Sequence, residues 1–138
     1  MSHYSTAELG PVDTWNALEG PHGMNGKLFL EGPLRSENVG MSVNGLAPGG
    51  SSPFWHLHAQ LEEVYVFLGG EGKMALGDDV IEVKAGSTVR VAPKTMMAVH
   101  ANADSSTDLR FVCARAGAAS LLDVGDDSEI SHDPFPWS

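Results

Sequence analysis

Residues 50–70 read GSSPFWHLHAQLEEVYVFLGG, and this stretch decides both the fold and the chemistry that we expect. His56 and His58 are two residues apart, so on a strand both imidazoles face the same side. Glu63 lies five residues beyond His58, and a bend at 59–61 lets the next strand return its carboxylate to that side. Two imidazoles and one carboxylate form a facial triad that leaves other positions of a metal open. Iron, zinc, manganese and nickel all accept these ligands, so the prediction is one divalent metal of unspecified identity.

The same stretch matches the pattern G-x5-H-x-H-x(3,4)-E-x6-G. Its defined positions are filled by Gly50, His56, His58, Glu63 and Gly70. In this it resembles the first motif of the cupin family. Glu62 and Gly69 satisfy the shorter spacing, but the run that follows Glu63 is similar to the run after the family's acidic ligand. The resemblance implies an all-β fold, the cupin jelly-roll barrel, with a metal held by His56, His58 and Glu63.

The second cupin motif, G-x5-P-x-G-x2-H-x3-N, is matched only in part. Counted from Pro93, Thr95 stands at the family's glycine, Ala98 at its histidine ligand and Asn102 at its asparagine. His100 lies two residues late, which is about 6.6 Å along a strand. Two interpretations remain open. Either a longer loop brings His100 to the metal as a fourth ligand, or the ligand is lost and His100 faces the interior as an acid or base.

The remaining sequence reads as many short strands separated by glycine and proline turns, which is typical of an all-β sandwich or barrel. The predicted strands are 27–31, 39–46, 62–68, 72–76, 80–83, 87–92, 97–101 and 109–115. We expect one domain with three parts: an N-terminal arm over 1–25 that is irregular or has a short helical turn near 14–18, the barrel over 26–116, and an acidic tail over 117–138. The tail is either loose or docked through Phe135 and Trp137.

Composition excludes several classes of partner. The chain has 138 residues and a formal charge of −10, which disfavours binding to nucleic acid or to anionic lipid. It has no apolar run long enough to span a membrane and no signal-peptide pattern, so we expect a cytoplasmic protein. The single cysteine, Cys113, lies in an apolar strand and is expected to be a buried, inert thiol.

The motifs leave three functions open. The first is a metal-dependent enzyme, of the oxygenase or the isomerase or lyase type, acting on a small metabolite. The second is a non-catalytic module that binds a small molecule such as a sugar, and the third is an oligomerising structural cupin without metal. The family resemblance also implies a homodimer. Fold alone does not choose among these functions, because cupins host many unrelated activities.

Overall fold

The computed structural model describes residues 3–117 and 120–138, and it folds ten strands into two five-stranded antiparallel sheets that face each other. The strands are β1 (Lys27–Phe29), β2 (Gly40–Leu46), β3 (Trp55–His58), β4 (Glu62–Gly69), β5 (Glu71–Leu76), β6 (Asp79–Lys84), β7 (Thr88–Val91), β8 (Met97–Ala101), β9 (Leu109–Ala116) and β10 (Ser128–Ser131). In the part of the chain that the structure describes, helical structure is limited to α1 (Glu31–Leu34), α2 (Leu121–Val124) and the 3-10 segments Val12–Ala17 and Pro21–Gly23. Within the described ranges, none of these helices has the length and apolar character needed to cross a bilayer.

The two sheets enclose one interior. The first sheet has the order β1-β2-β9-β4-β7, and the second has the order β10-β3-β8-β5-β6. Alternate residues of the strands point inward, and Phe67 and Leu109 from the first sheet meet Met74 and Met97 from the second in a nearly solvent-free core. This is the predicted all-β jelly-roll barrel. All eight predicted strands are present, and the structure adds β3 and, in the tail, β10.

Tight turns connect the strands where glycine is needed. Gly77 has a φ of +60° in the two-residue connection between β5 and β6, which suits a hairpin turn. Gly70 has a φ of +80°, and a Cβ placed there would lie 2.5 Å from the carbonyl oxygen of Asp108. At Gly70 a side chain is therefore excluded both by backbone conformation and by space.

The N-terminal arm is docked on the outer face of the first sheet. Trp15 of the 3-10 segment is buried against Leu30 and Val43. A Cβ at Gly45 of β2 would fall 2.7 Å from the backbone nitrogen of Asn16, so the glycine permits this close approach.

The C-terminal tail is docked on the opposite side of the barrel. Strand β10 pairs with β3, and the indole nitrogen of Trp55 donates a hydrogen bond of 3.1 Å to the carbonyl of Asp133. Phe135 stacks on Trp137, whose ring centroid lies 5.1 Å from that of His100. Of the two alternatives for the tail, the structure has the docked one, because these aromatic rings cover the outer face of the second sheet.

Candidate metal centre

The bend predicted after His58 carries the chain from one sheet to the other. Strand β3, with both histidines, belongs to the second sheet, and β4, with Glu63, belongs to the first. Glu63 therefore faces the two imidazoles across the interior. The His56 Nε2 atom lies 3.4 Å from one carboxylate oxygen of Glu63, and the His58 Nε2 atom lies 3.6 Å from the other.

These three side chains have the chemistry and spacing of a metal site. Their ligand atoms all lie within 4.8 Å of one another. Bonds of about 2.0–2.2 Å to a divalent ion require ligand atoms roughly 3.0–3.4 Å apart, close to the two separations measured here. Two imidazole nitrogens and a carboxylate oxygen suit the first-row metals from manganese to zinc. The neighbouring Glu62 points outward and pairs with Arg90, so Glu63 is the acidic group of the site.

Glu63 is held as a buried carboxylate. Its exposed fraction is 5%. It accepts hydrogen bonds from the Tyr65 hydroxyl (3.3 Å) and the Cys113 thiol (3.1 Å). Burial by itself raises the pKa of Glu63, but the hydrogen bonds of His56 and Cys113 and the charges of His56 and His58 outweigh it and lower the pKa to about 2. The carboxylate is therefore ionised at neutral pH, as a metal ligand must be.

The C-terminal tail supplies a residue that orients one ligand. The Asp127 carboxylate lies 2.7 Å from Nδ1 of His58, and its other oxygen accepts the backbone N–H groups of Gln60 (2.9 Å) and Leu61 (3.0 Å). An ionised carboxylate only accepts hydrogen bonds, so Nδ1 of His58 carries the proton. Nε2 of His58, which faces Glu63, is then the ring nitrogen left for a metal to bind. Such carboxylate–histidine pairs fix the ring orientation and the tautomer of metal ligands.

The structure corrects the prediction for His100. Both interpretations required this imidazole to face the interior, but the inward residues of β8 are Met97, Val99 and Ala101. Side chains alternate along a strand, so His100 and Ala98 lie on the outer side of the sheet. There the Nδ1 atom of His100 lies 2.7 Å from the Ser51 hydroxyl, and the ring stacks on a tryptophan of the tail.

Met97 occupies the inward position of β8 nearest the cluster. It is paired in register with His56, and its sulfur lies 3.5 Å from the Tyr65 hydroxyl oxygen. The turn before β8 has a left-handed residue at Lys94, whose φ is +66°. Counting from Pro93 assigns the family's glycine to Thr95, which is one residue later. If Lys94 takes the place of the family's glycine, the position of the family's histidine ligand is three residues later, at Met97. A thioether therefore replaces the fourth imidazole.

The cluster opens into a cavity of about 1060 Å³ between the two sheets. Its lining includes five polar residues that the sequence reasoning missed as site residues: Lys27, Ser42, Asn44, Arg115 and Asp127. Four of them lie on the inner face of the first sheet, where Lys27 is opposite Asn44 and Arg115 is opposite Glu63. Alternation along β1, β2 and β9 places these four on the inner face only once the strand register with Glu63 is known, and the sequence does not give that register. No local signal identifies Asp127.

Similarity to known proteins points to the same fold. A family model for the cupin domain matches residues 43–115. The chain belongs to the cupin family. It is similar to a cupin protein from Bacteroides fragilis, with a TM-score of 0.70 and 28% identity, covering 86% of this chain and 87% of that one.

A more distant likeness supports the same fold. An uncharacterized conserved protein with a double-stranded β-helix domain from Klebsiella pneumoniae subsp. pneumoniae has a TM-score of 0.67 and 18% identity, covering 93% of this cupin and 100% of that chain. A curated relative, an uncharacterized protein of Methanocaldococcus jannaschii, is 42% identical over 50 residues. That match covers 36% of this cupin and 40% of the relative, so it spans less than half of either chain.

Proposed function

We propose that this cupin is a metal-dependent enzyme that acts on a small metabolite, with one divalent metal held by His56, His58 and Glu63. The observation that supports it is a three-ligand cluster with a buried, ionised carboxylate that opens directly into a cavity. Sites with three protein ligands and an open position are typical of catalytic metals, whereas structural metals are fully enclosed by protein ligands.

The metal, when bound, would supply either a site for oxygen and substrate or Lewis-acid polarisation of a carbonyl, corresponding to the oxygenase and the isomerase or lyase types. The chain's own groups prepare that site. Asp127 keeps the His58 lone pair directed inward, and Tyr65 and Cys113 donate hydrogen bonds to Glu63. Burial raises the pKa of both Tyr65 and Cys113, so at neutral pH each keeps the proton that it donates.

Elemental analysis of untagged protein tests the metal site directly. We expect near-stoichiometric metal in the wild type, and none in the double variant His56→Ala/His58→Ala. His100→Ala is the matched control, because it removes an imidazole that lies outside the cluster, and it should keep the full metal content. If the wild type takes up no iron, zinc, manganese or nickel on incubation, the proposal fails and a sugar-binding or structural cupin replaces it.

A second measurement separates catalysis from simple binding. Turnover of any substrate found by screening should stop on chelation and return when the same metal is added back. A ligand that binds equally well before and after chelation, without turnover, would identify a binding module instead. The homodimer and the cytoplasmic location remain predictions, and light scattering after size exclusion tests the first of them.

A further inference from the structure

A lysine faces the metal cluster from the first sheet. Lys27 and Phe29 lie on the same face of β1, and both line the cavity. The Lys27 ammonium lies over the Phe29 ring, 5.1 Å from its centroid, and Lys27 is paired in register with Asn44. Its charge is within electrostatic reach of Glu63 and Cys113. The ammonium therefore belongs to the same chamber as the metal ligands.

Every described carboxylate that lines this cavity already has its partners. Glu63 is bonded by a tyrosine and a thiol and contacts both histidines. Glu31 pairs with Arg115 and accepts the backbone N–H of Met41. The remaining two lie at the tail side of the cavity.

Those two carboxylates also have hydrogen-bond partners. Asp127 is bonded to His58 and to two backbone amides. Asp126 accepts both the backbone N–H and the hydroxyl of Ser128. Across residues 3–117 and 120–138, no carboxylate lies within 4.0 Å of the Lys27 ammonium. Among the described charged groups of the cavity wall, Lys27 is thus the one that no counter-ion contacts directly, although the charge of Glu63 acts on it from farther away.

An ammonium in a half-buried cavity is costly unless an anion pairs with it. Burial lowers the pKa of Lys27, as expected for a cation short of a partner, and a bound carboxylate would oppose that effect. The aromatic ring of Phe29 beneath the ammonium supports the charged form but satisfies none of its three N–H donors.

We propose that Lys27 is the carboxylate-binding residue of this cavity, so that the ligand of this cupin is a small organic acid. The carboxylate pairs with Lys27 on the first sheet, and the rest of the molecule extends toward the cluster of His56, His58 and Glu63. The extension of the ligand toward the metal cluster rests on the proposed function. The pairing of its carboxylate with Lys27 does not, because that pairing requires no metal.

Binding measurements with acid and amide pairs test the role of Lys27. The probes are acetate, glycolate, lactate, malonate and succinate, each compared with its uncharged amide by calorimetry on metal-free and metal-loaded protein. We expect one or more acids to bind, and the corresponding amide to bind at least tenfold more weakly. Lys27→Met and Lys27→Gln should each weaken acid binding about ten- to hundred-fold, whereas Lys27→Arg should keep it within about threefold.

Lys84→Met is the matched control, because it removes the same charge from an exposed site at the end of β6. It should leave acid binding unchanged, and all variants should keep the wild-type metal content. Undiminished acid binding in the two neutral Lys27 variants would overturn the inference, as would equal binding of acid and amide or no binding of any acid. If no metal binds but acid binding still depends on Lys27, the enzyme proposal fails and the assignment of Lys27 stands.

Discussion

Substituting Asp127 by asparagine should weaken metal binding by His58, although His58 itself is unchanged. In the native structure one oxygen of Asp127 accepts from Nδ1 of His58, and the other accepts two backbone N–H groups. An asparagine has only one acceptor atom, and the two amide donors of Gln60 and Leu61 will orient it toward themselves. The –NH₂ group then faces Nδ1 of His58, which must become the acceptor. The ring proton moves to Nε2, the nitrogen that faces Glu63.

The size of the effect follows from that tautomer change. A neutral imidazole protonated on Nε2 has its lone pair on Nδ1, which faces residue 127 and not the metal. To bind the metal, His58 must therefore either rotate or break its bond to residue 127. Loss of such supporting groups typically weakens metal binding 10–100-fold, which corresponds to about 1.4–2.8 kcal/mol. The fold should survive, because the two backbone hydrogen bonds to residue 127 are kept.

The assay is metal affinity measured by competition with a chromophoric chelator, on Asp127→Asn and on the neighbouring Asp126→Asn. The control removes the same charge one residue away, where the carboxylate bonds only to Ser128. We expect Asp126→Asn to bind metal within about twofold of the wild type. Equal affinity of the two variants would refute the reasoning, since it would mean that Asp127 does not set the tautomer of His58.

Three further predictions concern the interior. Because the pKa of Glu63 is lowered to about 2 from 4.5, its ionised form stabilises the metal-free fold above about pH 4.5, and this contribution is lost as the pH falls toward 2. In urea titrations the stability difference between wild type and Glu63→Gln should shrink over that window, and a constant difference would contradict the assignment. Cys113 is 2% exposed and burial raises its pKa, so it should not react with a thiol reagent in the folded protein but should react fully in guanidinium. Gly70→Ala should cost about 2–5 kcal/mol in free energy of unfolding, because it adds a clash to a positive φ, whereas Gly77→Ala, with open space around it, should cost about 1 kcal/mol. Equal losses at the two glycines would show that the clash is relieved.

The all-β class and the pair of histidines could be predicted from local regularities, whereas the jelly-roll barrel and the choice of Glu63 over Glu62 depended on the resemblance to the cupin motif. Side chains alternate along strands, so the spacing of His56 and His58 fixed their common side, and a bend at 59–61 was assumed because it returns Glu63 to that side. The strand boundaries followed from apolar runs between glycines.

The error at His100 arose from the choice of reference point. Counting from Pro93 placed Ala98 at the histidine position and made His100 seem to face inward. Counting from Gly86, which has a φ of +94°, places the family's glycine at Lys94 and its histidine at Met97, as the structure has them. The proline is shifted by one residue, and a shift of one residue exchanges the two faces of a strand.

Asp127 and Lys27 could not be predicted because each reaches the site only through tertiary structure. The family model covers residues 43–115, and both residues lie outside it, one on β1 and one in the tail. The matched segment alone contains all three metal ligands. Relatives that share only this segment would therefore share the metal site, whereas the group that orients His58 and the cation that faces the cluster belong to the flanking elements. We therefore expect relatives that differ at Lys27 to bind different molecules, and relatives without the tail carboxylate to hold the same metal more weakly.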